Sequence, residues 1–153
     1  MKLALACLVL AGASLGARAQ KAIVLTNTVA LAFGKFAAGS GGTVTISPAG
    51  ARTAGGAVML SSSGPGAAAA FLATGTRNKA FTIITLPANG TVSLTGPGPA
   101  MAVDNFTSTP AAATGGALSA AGTATLLVGA TLTVGAAQTP GAYAGTFSVT
   151  VNY

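Results

Sequence analysis

From Tyr143 to Tyr153, apolar and hydroxyl-bearing positions alternate without a break. Tyr143, Gly145, Phe147, Val149, Val151 and Tyr153 share one face, and Ala144, Thr146, Ser148, Thr150 and Asn152 share the other. Strand side chains alternate with period two, so this pattern predicts a half-buried β-strand. A second long run, Thr123 to Val134, brings Leu126, Val128, Ala130, Leu132 and Val134 into phase. Gly129 inside it marks a bulge or a close backbone approach. Shorter strands are predicted at Thr43–Ile46 (Val44 and Ile46 inward), Ala57–Leu60, Phe71–Gly75 and Met101–Phe106. Ala67 to Ala70 has helix propensity, but the run is too short to nucleate and continues into the Phe71 strand.

Residues 80–95 read as a hairpin, with arms Phe81–Leu86 and Thr91–Leu94 around Asn89-Gly90, a pair suited to a tight turn. Breaks fall at Gly39–Gly42, Pro48–Gly56, Ser61–Gly66, Gly96-Pro97-Gly98-Pro99, Thr107–Gly116 and Gln138–Gly141, and Phe33-Gly34-Lys35-Phe36 reads as a bend. Short strands, frequent turns and no helical period predict an all-β chain, either a β-sandwich or a small barrel.

The first nineteen residues change the picture. Lys2 begins a positive start, Leu3 to Leu15 are apolar, and Ala17-Arg18-Ala19 fits an A-x-A cleavage pattern. This predicts a secretory signal at 1–19, cleavage between Ala19 and Gln20, and a single domain over 20–153. The run is shorter than the about 20 apolar residues of a membrane helix. Cys7, the only cysteine, falls in the leader, and Gln20 at the expected start disfavours a lipid anchor. The product is expected in the periplasm, at the cell surface or outside, and is stabilised without disulfides.

Charged residues make up 5% of the chain, against about a quarter in ordinary domains. Beyond the leader, Lys21, Lys35, Arg52, Arg77 and Lys79 face only Asp104, and the cations are scattered singly. With no basic cluster, nucleic acid is not an expected partner. There is no histidine and no glutamate. A Ser-His-Asp triad is therefore unavailable, as is a two-carboxylate glycosidase site. One carboxylate is too few for a zinc or calcium centre. The expectation is no catalytic residue, no cofactor and no metal. Asp104 reads as a surface or turn residue. Asn89-Gly90-Thr91 and Asn105-Phe106-Thr107 match the short N-x-[ST] pattern, which turn and strand chemistry explain equally well.

Several stretches carry a resemblance: Phe33-Gly34-Lys35-Phe36, Gly41–Thr45, Phe71–Gly75, Ile84–Pro87, Val128–Leu132 and Gly141–Tyr153. In these motifs and their order the chain resembles the bacterial domain-of-unknown-function 4402 family, which implies a secreted protein of Gram-negative bacteria with no established activity. More distantly it is similar to chaperone–usher pilins and spore-coat-U-like fimbrial proteins. That likeness implies an immunoglobulin-like antiparallel β-sandwich assembled by strand donation, with residues 20–32 as the donor and Ile23, Leu25, Val29 and Leu31 as its plug residues. It also implies self-assembly, or a periplasmic chaperone, acting on edge strands. The pilin disulfide is absent, and the alternation slips around Asn27.

The expected role is thus a structural or appendage subunit that works through strand pairing. The alternatives are a monomeric secreted or periplasmic binding module and, less favoured, a small outer-membrane barrel. Several predicted strands fall short of the roughly 9–11 residues that a barrel span needs.

Overall fold

The computed structural model describes residues 20–153; the expected leader, with Ala19 of the expected cleavage site, lies outside the described residues. In chain order the strands are β1 (Val24–Val29), β2 (Phe36–Ala37), β3 (Gly42–Ile46), β4 (Arg52–Gly56), β5 (Met59–Leu60), β6 (Ala69–Thr74) and β7 (Ala80–Phe81). They continue with β8 (Ile83–Thr85), β9 (Val92–Leu94), β10 (Met101–Thr109), β11 (Gly116–Ala117), β12 (Thr123–Val134) and β13 (Thr150–Asn152).

The long strand β12 organises the principal sheet. Its first half pairs antiparallel with β6 and its second half with β3, while its other edge pairs with β10. β1 extends the sheet beyond β6, β4 beyond β3 and β9 beyond β10. Leu126, Val128, Ala130, Leu132 and Val134 are all buried, as their common phase predicts. The opposite face carries hydroxyls: Thr45 and Thr131 are directly paired and hydrogen-bond at 3.0 Å. Gly129 stands where β12 passes from β6 to β3, and a Cβ there would collide with the Ile46 carbonyl and the Ser47–Pro48 backbone. The close approach expected from sequence is the reason for this glycine.

Short two-stranded pairs, β2–β5, β8–β13 and β7–β11, cover the inner face. Two apolar clusters lie between the layers. Val44, Ile46, Met101, Val103 and Leu132 meet Phe33 and Val58 in the first. Ala69, Leu126 and Val128 meet Phe81, Ile84, Leu118 and Val151 in the second. Each of the larger side chains among them, once fully buried, contributes about 1.5–3 kcal/mol. No polar or charged side chain is buried among the described residues. This is an antiparallel β-sandwich, all-β as expected.

Three expectations need correction. The arms around Asn89-Gly90 do not form a hairpin: β8 pairs with β13, and β9 pairs with β10. The turn exists, with Gly90 at φ +78°, but it docks elsewhere. The final strand keeps its alternation of faces, with Tyr143, Phe147, Val149 and Tyr153 half-buried and Val151 buried. It forms a ladder only over Thr150–Asn152, plus one bridge from Ala144 to Thr95. Residues 86–94 are longer than the stretch opposite them, so the two segments separate between the two points of contact. Finally, the turn-rich stretch Pro48–Gly56 contains β4, an exposed edge strand with few apolar residues to reveal it.

The segment named as a donor pairs with its own sheet, β1 against β6, from Val24 opposite Thr74 to Val29 opposite Ala70. Ile23, Leu25 and Leu31 pack on the core. Val29 does not: a register slip between Asn27 and Val29 turns it outward, leaving it 45% exposed. Asn27 Nδ2 donates to the carbonyls of Val29 and Ala70 and holds that slip in place.

Candidate functional site

An apolar slot of about 890 Å³ opens in the second layer. One wall is the chain from Leu31 to Ala38 and the other runs from Gln138 to Phe147; Val92, Leu94, Met101, Val103 and Leu132 form the floor. Met101, Val103 and Leu132 are only 1–3% exposed. The half-buried wall residues Phe36 and Tyr143 pack against this part of the floor and close over it.

A guanidinium shapes the first wall. Arg52 on β4 reaches across the layer and donates to four carbonyls: Phe33 (3.2 Å) and Lys35 (3.3 Å) on one segment, Gly64 (2.7 Å) and Ser61 (2.6 Å) on the next. A planar fork with several fixed donors suits this task where an ammonium would not. The clip fixes the bend around Gly34. Ala32 and Ala67 exchange both backbone hydrogen bonds, and Phe36–Ala37 pairs with Met59–Leu60.

A tyrosine shapes the second wall. The Tyr143 hydroxyl donates to the Thr139 carbonyl four residues upstream (2.9 Å) and accepts from Gln138 Nε2 (3.0 Å). Immunoglobulin-like sandwiches use a similar tyrosine corner. Ala144 exchanges both backbone hydrogen bonds with Thr95. In an antiparallel strand the groups of adjacent residues point to opposite sides, so those of Tyr143 and Gly145 point away from Thr95. No strand pairing joins the two walls among the described residues. The slot is a break in the second layer's ladder.

At the far end of the sandwich, Tyr153 ties three segments together. Its hydroxyl accepts from the Thr76 N–H (2.7 Å) and donates to the Lys21 carbonyl (3.0 Å); the Lys21 N–H in turn donates to Thr76 Oγ1 (3.0 Å). Tyr153→Phe is expected to cost about 1–2 kcal/mol, because the Thr76 N–H is left half-buried without its acceptor. Amide exchange at Thr76 and proteolysis at the start of the domain should both accelerate.

Asp104 caps a turn, donating no chemistry to the slot: its Oδ1 accepts from the Gly90 N–H at 2.7 Å. Lys35 is the slot's cation, while Lys21 and Lys79 lie elsewhere. No group of three or more His, Cys, Asp or Glu gathers among the described residues. No helix there is long and apolar enough to cross a membrane. Sequence reading missed the roles of Arg52, Tyr143 and Tyr153. A lone arginine in a turn-rich, glycine-rich stretch was the available signal for the first. A tyrosine four residues after Thr139-Pro140 was the signal for the second.

Fold and site together define an antiparallel β-sandwich domain with an interrupted second layer and an apolar slot at the interruption. The chain belongs to the DUF4402 family, described as a domain of unknown function, whose sequence profile matches residues 23–153. No curated protein and no solved structure matches it.

Proposed function

We propose that the chain is a secreted structural subunit of the cell surface that assembles by strand pairing, with the slot accepting an extended segment of a second copy. The observation that carries this reading is the slot itself. Apolar residues line a gap between two extended walls that no strand pairing joins. An added strand would pair with the wall backbone while its alternate side chains enter the gap, the usual logic of strand addition. The leader at 1–19 supports export to the periplasm or beyond. The poverty of ionisable side chains leaves backbone edges and shape as the means of action.

The test uses the protein without its leader, residues 20–153, in light scattering across a concentration series, with a synthetic Gln20–Leu31 peptide added in parallel. Concentration-dependent oligomers, or peptide bound in a complex that Phe36→Arg abolishes, are expected. A monomer at every concentration that ignores the peptide would refute the proposal.

One observation favours a second reading, a monomeric binding module. β1 is already paired with β6, and the slot's volume lies within the roughly 300–1,000 Å³ of small-molecule pockets. Displacement of a hydrophobic dye by a small ligand, without oligomers, would select this reading.

A further inference from the structure

The Asn89-Gly90 turn is unexplained by assembly. Its two residues are gripped by two neighbouring residues of β10. The Gly90 N–H donates to Asp104 Oδ1 at 2.7 Å, and the Asn105 N–H donates to Asn89 Oδ1 at 2.9 Å. Asn89 Nδ2 lies 3.4 Å from Asn105 Oδ1. Asn105 adopts φ +52° at the β10 register slip between Asp104 and Thr107, which aims both its own N–H and the Asp104 side chain at the turn. Asn89, Gly90 and Asn105 are exposed to water, and nothing lies within 4 Å on the side where Gly90 lacks a Cβ.

We infer that this is a self-modifying site, at which Asn89 loses its side-chain amide through a cyclic imide. The Gly90 nitrogen is the nucleophile and Asn89 Cγ the electrophile. The Asp104 carboxylate stands on the nucleophile's proton as a general base. The Asn105 N–H stands on the oxygen that becomes negative as Cγ turns tetrahedral. The Gly90 N–Cγ bond forms and the Cγ–Nδ2 bond breaks. The proton leaving Gly90 N passes through Asp104 to Nδ2, which departs as ammonia. Water then opens the ring at either carbonyl and leaves aspartate or isoaspartate at 89. No electrons are exchanged, and the only co-reactant is water.

The product places a second carboxylate beside Asp104. Where the backbone reroutes through the side chain, the turn lengthens and is released from β10. The loop bordering the final strand would thus loosen with the age of the molecule.

The experiment incubates residues 20–153 at neutral pH and physiological temperature. Peptide mapping by mass spectrometry follows the replacement of amide by acid at Asn89 and resolves the isoaspartyl form. The folded chain should react at least about a hundredfold faster than the same chain in urea, the lower side of what a positioned base supplies. Asp104→Asn should bring the folded rate down to the unfolded one, and Asn89→Gln should abolish the reaction at this site. A folded chain that reacts no faster than the unfolded one overturns the inference. So does a folded Asp104→Asn chain that reacts as fast as, or faster than, the parent; in that case Asp104 restrains the amide and does not activate it. The comparison of folded and unfolded parent chain decides the matter even if the substitution impairs folding.

Discussion

Gly129→Val is expected to destabilise the domain by at least about 3 kcal/mol, the upper end of the usual penalty for overpacking. Strand propensity alone predicts the opposite sign, since valine favours strands over glycine on a scale spanning about 1 kcal/mol. The collision decides. A Cβ at 129 meets the Ile46 carbonyl and the backbone of Ser47 and Pro48, none of which can rotate aside as a side-chain tip would. Gly129→Ala should therefore already carry most of the cost. Thermal melts or urea titrations of Gly129→Ala and Gly129→Val give the check. Two variants as stable as the parent would show that β3 and β12 part freely at this crossing.

Arg52→Met is the second large effect, a loss of about 3 kcal/mol. Hydrogen bonds to a charged group contribute about 1.5–3 kcal/mol each, and water replaces part of that at a half-buried site. Lys35 O keeps the Ser61 N–H and Gly64 O keeps the Lys35 N–H, so the carbonyls left without these partners are those of Phe33 and Ser61. Arg52→Lys should recover only a fraction, because one ammonium cannot span both segments. The expected signature is a lower denaturation midpoint with an unchanged slope. Hydrophobic dye binding should rise as well, since the first wall of the slot loses its brace.

Side-chain phase was legible in the sequence wherever a strand lies between core and solvent. β12 and β3 were readable because Leu126 to Val134, Val44 and Ile46 occupy alternate positions and are all buried. The final strand's faces were readable for the same reason. Pairing partners were not, because burial records which layer a residue touches and says nothing of its neighbour along the sheet. Thus the 80–95 arms were joined to each other, although Val151 takes Ile84 and Val103 takes Val92. The Asn89-Gly90 turn was legible from residue type, but its docking on Asp104 and Asn105 depends on a bulge fourteen residues or more downstream. β4 was illegible because Thr53, Ala54, Gly55 and Gly56 carry almost no apolar contrast. The slot is a gap between strands distant in sequence, and its Arg52 brace is a single residue with no periodicity to betray it.

The Tyr153 hydroxyl brings Lys21 within one side chain's reach of the last residue. Proximity of this kind suits circular permutation. A few Gly/Ser residues, with a reach of about 5–6 Å times the square root of their number, would bridge the gap. New ends could then be cut into the exposed turn at Asn89-Gly90. A chain rejoined in this way keeps β1 paired with β6, yet it could no longer lend its first strand to a neighbour.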